Sequence, residues 1–153
     1  NRDDKGTTPE LRRPIILYLA SNGGEVDSGL GLIDIITASK TPVYTVNIGY
    51  QYSMGFLIGI AGHKRYTLPS ARFLLHDGYT SVSNTGAKVV DQIKFNERSE
   101  ERIKAFVLSR GKVTEEEYDN QSRKEWYMFA EEAKEHGFTD YIIGVDCDID
   151  EIM

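Results

Sequence analysis

Three features of this chain have the makings of acyl-transfer chemistry: an alcohol at a strand-to-helix junction, an imidazole closing an apolar run, and two adjacent glycines between a strand and a helix. The alcohol is Ser53, in Tyr50-Gln51-Tyr52-Ser53-Met54-Gly55. Before it, Pro42-Val43-Tyr44-Thr45-Val46-Asn47-Ile48-Gly49 alternates and is β-branched, which reads as a strand. After it, Gly55-Phe56-Leu57-Ile58-Gly59-Ile60-Ala61-Gly62 is apolar nearly all round, which reads as a short buried helix. A hydroxyl at that junction lies beside unpaired N–H groups of a helix N-terminus, which favour developing negative charge. The position equally suits a plain N-cap, a role serine fills well.

Nucleophilic hydrolysis also needs a base and oxyanion donors. His76 ends Phe73-Leu74-Leu75-His76, where a side chain at a strand end faces a site rather than a packed interior. His63, in the polar turn Gly62-His63-Lys64, reads as a surface residue, and His136 as a cation favoured at a helix C-terminus. Gly23-Gly24 follows an apolar strand and precedes a helix, where glycines let the backbone turn tightly and expose N–H groups. In parallel sheets such loops are where ligands bind. Neither G-x-G-x-x-G nor G-x-x-x-x-G-K-[ST] occurs, which argues against dinucleotides and nucleoside triphosphates.

The elements that must position these groups follow from pattern. Residues 14–20 form a near-continuous apolar run, expected to be a strand covered on both faces. Val26, Leu30, Ile33 and Ile36 recur at helical spacing, with the helix ending near Lys40. Residues 64–68 alternate weakly, residues 71–76 are a strand candidate and residues 77–86 read as a loop. Residues 87–108 read as one long helix whose charged middle, Asn96-Glu97-Arg98-Ser99-Glu100-Glu101-Arg102, suits a helix that protrudes or a solvated face. Thr114 before Glu115-Glu116-Glu117 marks a helix start, Ala130 to His136 a short helix, and residues 138–145 a last strand. The β-α-β-α order at the front argues for an α/β domain with a largely parallel sheet.

At 153 residues, 40% hydrophobic and 27% charged, the chain suits one soluble globular domain. A net charge of −6 argues against general nucleic-acid binding through phosphates. No apolar stretch is long enough to span a bilayer, and the lone Cys147 is compatible with a reducing cytosol. The aspartates and glutamate after Val145 lack the layout of a calcium loop and read as a solvated terminus. The polar start, residues 1–13, reads as a loop, so the natural protein is expected to begin earlier.

Several segments together resemble the proteolytic subunit of the Clp protease, the ClpP family. They are Leu17-Tyr18-Leu19-Ala20-Ser21-Asn22-Gly23-Gly24, Tyr52-Ser53-Met54-Gly55, Leu68-Pro69-Ser70-Ala71-Arg72-Phe73-Leu74-Leu75-His76, and Ala130-Glu131-Glu132-Ala133-Lys134-Glu135-His136-Gly137-Phe138-Thr139-Asp140. The resemblance runs from Pro14 to about Ile143 and implies one ClpP/crotonase-like α/β domain over residues 1–153. Its stacked β-α-β units would carry a protruding handle, a helix and a strand at about residues 77–109, with residues 88–107 as the handle helix.

Carried over by motif, Ser53 matches the nucleophile, His76 the base, and Gly24 and Met54 the oxyanion donors. Counting back from Ala130 puts the third triad position, an Asp in the family, at Glu125. Asp119 is off register and ranks below it. Asn22 replaces the proline of S-P-G-G, Tyr52 replaces a small residue and is expected to crowd the site, and the turn at residues 62–65 is shorter than usual.

The resemblance implies a serine endopeptidase acting on unfolded polypeptides without metal or cofactor. It also implies a homo-oligomer or mixed oligomer of two stacked heptameric rings in the cytoplasm, fed by an AAA+ unfoldase that uses the ATP. The alternatives are a non-catalytic ClpP-like subunit of a mixed ring and a crotonase-type acyl-CoA enzyme.

Overall fold

The computed structural model describes residues 5–152; residues 1–4 of the polar start lie outside it. Its elements are β1 (Ile15–Ser21), α1 (Val26–Ala38), β2 (Val43–Tyr52), α2 (Met54–Ile60), β3 (Lys64–Thr67), β4 (Arg72–Leu75), α3 (Gly86–Arg110), α4 (Glu115–Gln121), β5 (Trp126–Phe129), α5 (Ala130–Glu135) and β6 (Tyr141–Ile142). The sheet runs β5-β4-β2-β3-β6, with β1 on the other side of β2. All pairings are parallel except β4 with β5. This is the α/β architecture expected.

Helix α2 is the hub. Six of its seven residues are buried, so an apolar run with no polar face is stable here because protein covers every side. Phe56 sits edge-on to Phe138 at 4.9 Å and to Phe73 at 6.5 Å between ring centres. Glycines let neighbours approach closely: a Cβ on Gly29 of α1 would fall 2.2 Å from the Met54 side chain, and one on Gly59 would fall 2.0 Å from Gln51. A polar clamp closes the far end. Arg65 forks onto Asp140 at 2.6 and 3.1 Å and donates to the carbonyls of Arg110 and Gly137. Arg110 in turn donates to the carbonyls of Ile60 and Gly62, just where α2 ends and its last carbonyls need partners.

Four expectations need correction. Strand β1 is not covered on both faces: Ile15 and Tyr18 are about half exposed, 49% and 50%. Among the described residues it pairs with β2 alone, which leaves it at an edge of the sheet. The last strand shrinks to Tyr141–Ile142, because β3 offers only Tyr66 and Thr67 as partners. The handle strand that the resemblance implies at about residues 77–109 does not form among the described residues: residues 77–85 are the loop that their composition suggests, since an extended segment needs a neighbour to complete its ladder. Finally, β5 stands where no strand was expected, and it proves decisive for the site.

Candidate active site

Three neighbouring strands end at one place. Strand β2 runs into Ser53, β4 runs into His76, and β5 is entered from Glu125. Parallel pairing of β2 with β4 continues one step beyond the strands, because the Ser53 N–H donates to the Leu74 carbonyl at 2.9 Å. In the antiparallel β4–β5 pair Leu75 lies opposite Trp126. One residue further, the same register sets His76 opposite Glu125. The result is a hydrogen-bond contact of 3.0 Å between His76 Nδ1 and Glu125 Oε1. The imidazole is a quarter exposed and the carboxylate more than half, 57%.

Ser53 occupies an abrupt turn with φ 54° and ψ −123°, the single non-glycine residue with positive φ among those described. Its side chain does not cap α2, so the N-cap role open to it in the sequence is not the one it plays. A left-handed conformation at a side chain held between a strand and a helix costs about 1 kcal/mol or more and persists only where the surroundings impose it. They do so through close contact. A Cβ on Gly23 would lie 2.8 Å from both the Ser53 Cβ and the Tyr52 carbonyl oxygen, and 2.9 Å from the Met54 nitrogen. Gly23 itself has φ 95°, and its N–H donates to Ser21 Oγ at 3.1 Å. The two glycines therefore have different tasks: Gly23 makes room against the turn, and Gly24 reaches the cavity.

That cavity, of about 410 Å³, is bordered by Gly24, Ser53, Met54 and His76. Met54 is the first residue of α2, so its N–H has no partner within the helix and is available at the cavity wall. The structure thus brings four of the five sequence candidates to one hollow, with Glu125 behind His76. The Ser53 hydroxyl makes no hydrogen bond to the ring, and Nδ1, bonded to Glu125, leaves Nε2 as the nitrogen for a nucleophile. Asp119 borders the same cavity but is held by Lys104 at 2.7 Å.

Tyr52 does not crowd the site. Strand alternation turns it to the face opposite buried Gln51, where it packs against Tyr50 and edge-on to Tyr127. His63 and His136 stand apart: His63 Nδ1 accepts the Val43 N–H at 3.0 Å, and His136 packs on Trp126. Sequence reasoning placed Gly23 in the turn but missed its bracing role, and it missed Ser21 and Ser122. The Ser122 carbonyl accepts the Asp77 N–H at 2.8 Å and so ties the segment after His76 to the end of α4. For Gly23 the signal was present, since two adjacent glycines at one turn invite two separate explanations.

The family model for the Clp protease matches residues 8–146. This chain belongs to the Clp protease family. It is 34% identical to the ATP-dependent Clp protease proteolytic subunit 2 of Tropheryma whipplei, over 86% of this chain and 74% of that one. The subunit of the same name from Corynebacterium efficiens is also 34% identical, over 86% of this chain and 67% of its own length. That from Treponema pallidum is 27% identical over 91% and 71%. Membership in the Clp protease family makes the chain a serine-type proteolytic subunit. No helix among the described residues is long and apolar enough to cross a membrane.

Proposed function

We propose that this chain hydrolyses peptide bonds with Ser53 as nucleophile, His76 as base and acid, and Glu125 as the group that orients His76. The observation that carries this reading is the 3.0 Å contact between His76 Nδ1 and Glu125 Oε1. A carboxylate there selects the tautomer with its proton on Nδ1 and steadies the imidazolium once Nε2 gains a second. As Ser53 Oγ bonds to the carbonyl carbon, its proton passes to Nε2. The oxyanion takes the N–H groups of Gly24 and Met54. The imidazolium gives its proton to the amine as the C–N bond breaks, and a water molecule, deprotonated by His76, then releases the acyl group. Every group in this sequence belongs to the chain or is water, and no cofactor is proposed.

As a Clp-type proteolytic subunit the chain works within an oligomeric protease alongside ATP-dependent Clp components. We assign it, more specifically, to a homo-oligomer or mixed oligomer of two stacked heptameric rings in the cytoplasm, supplied with unfolded polypeptide by an AAA+ unfoldase. Helix α3 supports the handle role at about residues 77–109: Val107 is its sole buried residue, and Val90, Ile93 and Phe95 stand exposed. A fluorophosphonate probe tests the chemistry. Labelling that disappears in Ser53→Ala, together with peptide hydrolysis, is the expected result. The second reading, a non-catalytic subunit of a mixed ring, draws on the absent Ser53–His76 hydrogen bond and the exposed Glu125. An assembled ring that never labels decides for it.

A further inference from the structure

Glu125 is held by its neighbour in sequence more than by its own contacts. Among the described residues its carboxylate makes one hydrogen bond, to His76. Its main chain lies between a turn, where the Lys124 N–H donates to the Gln121 carbonyl at 2.9 Å, and Trp126, the first residue of β5. Trp126 is the single tryptophan of the chain. Its side chain packs against the main core, and its ring stands edge-on to His136 at 5.0 Å and to Phe138 at 6.0 Å between ring centres. These two rings form a notch whose walls are themselves fixed. The His136 carbonyl accepts the Lys112 N–H at 2.7 Å. Phe138 lies against Phe56, and so close to Gly111 that a Cβ there would fall 2.5 Å from its ring.

The notch matters because β5 is short. Four residues pair with β4, and it is their register that sets Glu125 opposite His76. Along β5, Trp126 and Met128 face the core, whereas Tyr127 and Phe129 are more than half exposed. A slip of one residue would exchange the two faces and turn the indole out to solvent. A slip of two keeps the alternation but takes the indole out of its notch and leaves the space to a smaller side chain. The indole is therefore what separates this register from the next one that the alternation allows. We infer that Trp126 is a positioning residue of the triad: lodged between His136 and Phe138, it pins the β4–β5 register and so holds the Glu125 carboxylate on His76. The inference rests on the proposed role of Glu125. Trp126 does not border the cavity beside Ser53, and it acts through Glu125 rather than on the substrate.

The test is a double-mutant cycle on the assembled protease, read with a fluorogenic peptide. Trp126→Ala is expected to lower kcat by about a hundredfold, the scale of an ångström of misplacement, with KM changed by less than about twofold. Trp126→Phe keeps a ring for the notch and should recover most of that loss. The deciding measurement is the same alanine substitution made in Glu125→Gln. Once the carboxylate is gone, removing the indole should cost less than about threefold in kcat, because the two changes then remove one function. An equal hundredfold loss in both backgrounds overturns the inference and leaves the role of Glu125 standing. A Trp126→Ala chain that assembles and keeps its kcat overturns it equally. Glu125→Gln with undiminished kcat overturns the proposed role of Glu125 and this inference with it. Should the alanine variant fail to assemble, Trp126→Leu, which fills more of the notch, carries the same comparison.

Discussion

The two ends of the proposed triad are built in opposite ways. At the nucleophile, the backbone is locked from several sides: the Ser53 N–H is bonded to β4, Gly23 lies against the turn, and Gly29 of α1 presses on Met54. At the acid, Glu125 is exposed and sits outside any helix, aligned by the short β4–β5 ladder. Close packing holds a strained turn rigidly, whereas a four-residue ladder sets direction and leaves the side chain wet. The difference suggests that the nucleophile end stores precision and the acid end admits adjustment. It also explains how a glutamate serves at this place: the extra methylene needs room, and the exposed end has it.

The comparison can be broken most severely at the nucleophile. Ser53→Ala should lower kcat by about a million-fold, the scale seen when a serine nucleophile is removed, while circular dichroism stays native. Glu125→Gln keeps the shape but loses the charge that fixes the imidazole; a loss of about a thousand-fold or more in kcat is expected. Glu125→Asp should recover much of that loss if the acid end adjusts, and single-turnover kinetics will show it. A Glu125→Asp variant no better than Glu125→Gln would show the acid end to be as rigid as the other.

Gly23→Ala should combine both effects, since the new methyl meets main-chain atoms at 2.8–2.9 Å and φ is positive. Activity should fall about a hundredfold with a lowered melting temperature. A smaller effect, and opposite in sign for stability, is expected from Ser53→Gly. Relief of the left-handed turn should stabilise the inactive chain by about 1 kcal/mol, measured by urea unfolding.

The smallest effect concerns pH and lies far from the site. Lys134 and the Ile142 N–H hold the Asp146 carboxyl below its usual range. A carboxyl lowered in the folded chain adds stability above its unfolded value of about 4 and loses it as pH falls through the folded value. Asp146→Asn should therefore flatten stability in that acid window alone.

Much of the site was legible before any fold was known, and for reasons tied to particular residues. Ser53 stood at a change of hydrophobic period, from alternation to an unbroken apolar run, and that change is local. The Gly23-Gly24 turn and the helix start at Thr114 are local too; the Thr114 hydroxyl accepts the Glu117 N–H as the spacing suggested. What escaped depended on partners distant in sequence. Trp126–Phe129 is too short to announce a strand, and it is one because β4 offers an antiparallel edge. The apolar run at residues 14–20 suggested full burial, yet a run of that kind cannot say how many neighbours it will have. Tyr52 looked obstructive because its number adjoins Ser53, although a strand sends adjacent side chains to opposite faces.

By itself, the order of residues determined which groups can do chemistry here and which end of which element each occupies, because hydrophobic period, glycine and capping residues act over a few positions. Tertiary structure alone decided that Glu125 meets His76, that Gly23 rather than its neighbour braces the turn, and that three glutamates of α3 face the hollow beside Ser53. Those outcomes depend on strand register and helix packing between segments up to a hundred residues apart, and no short-range rule carries that information.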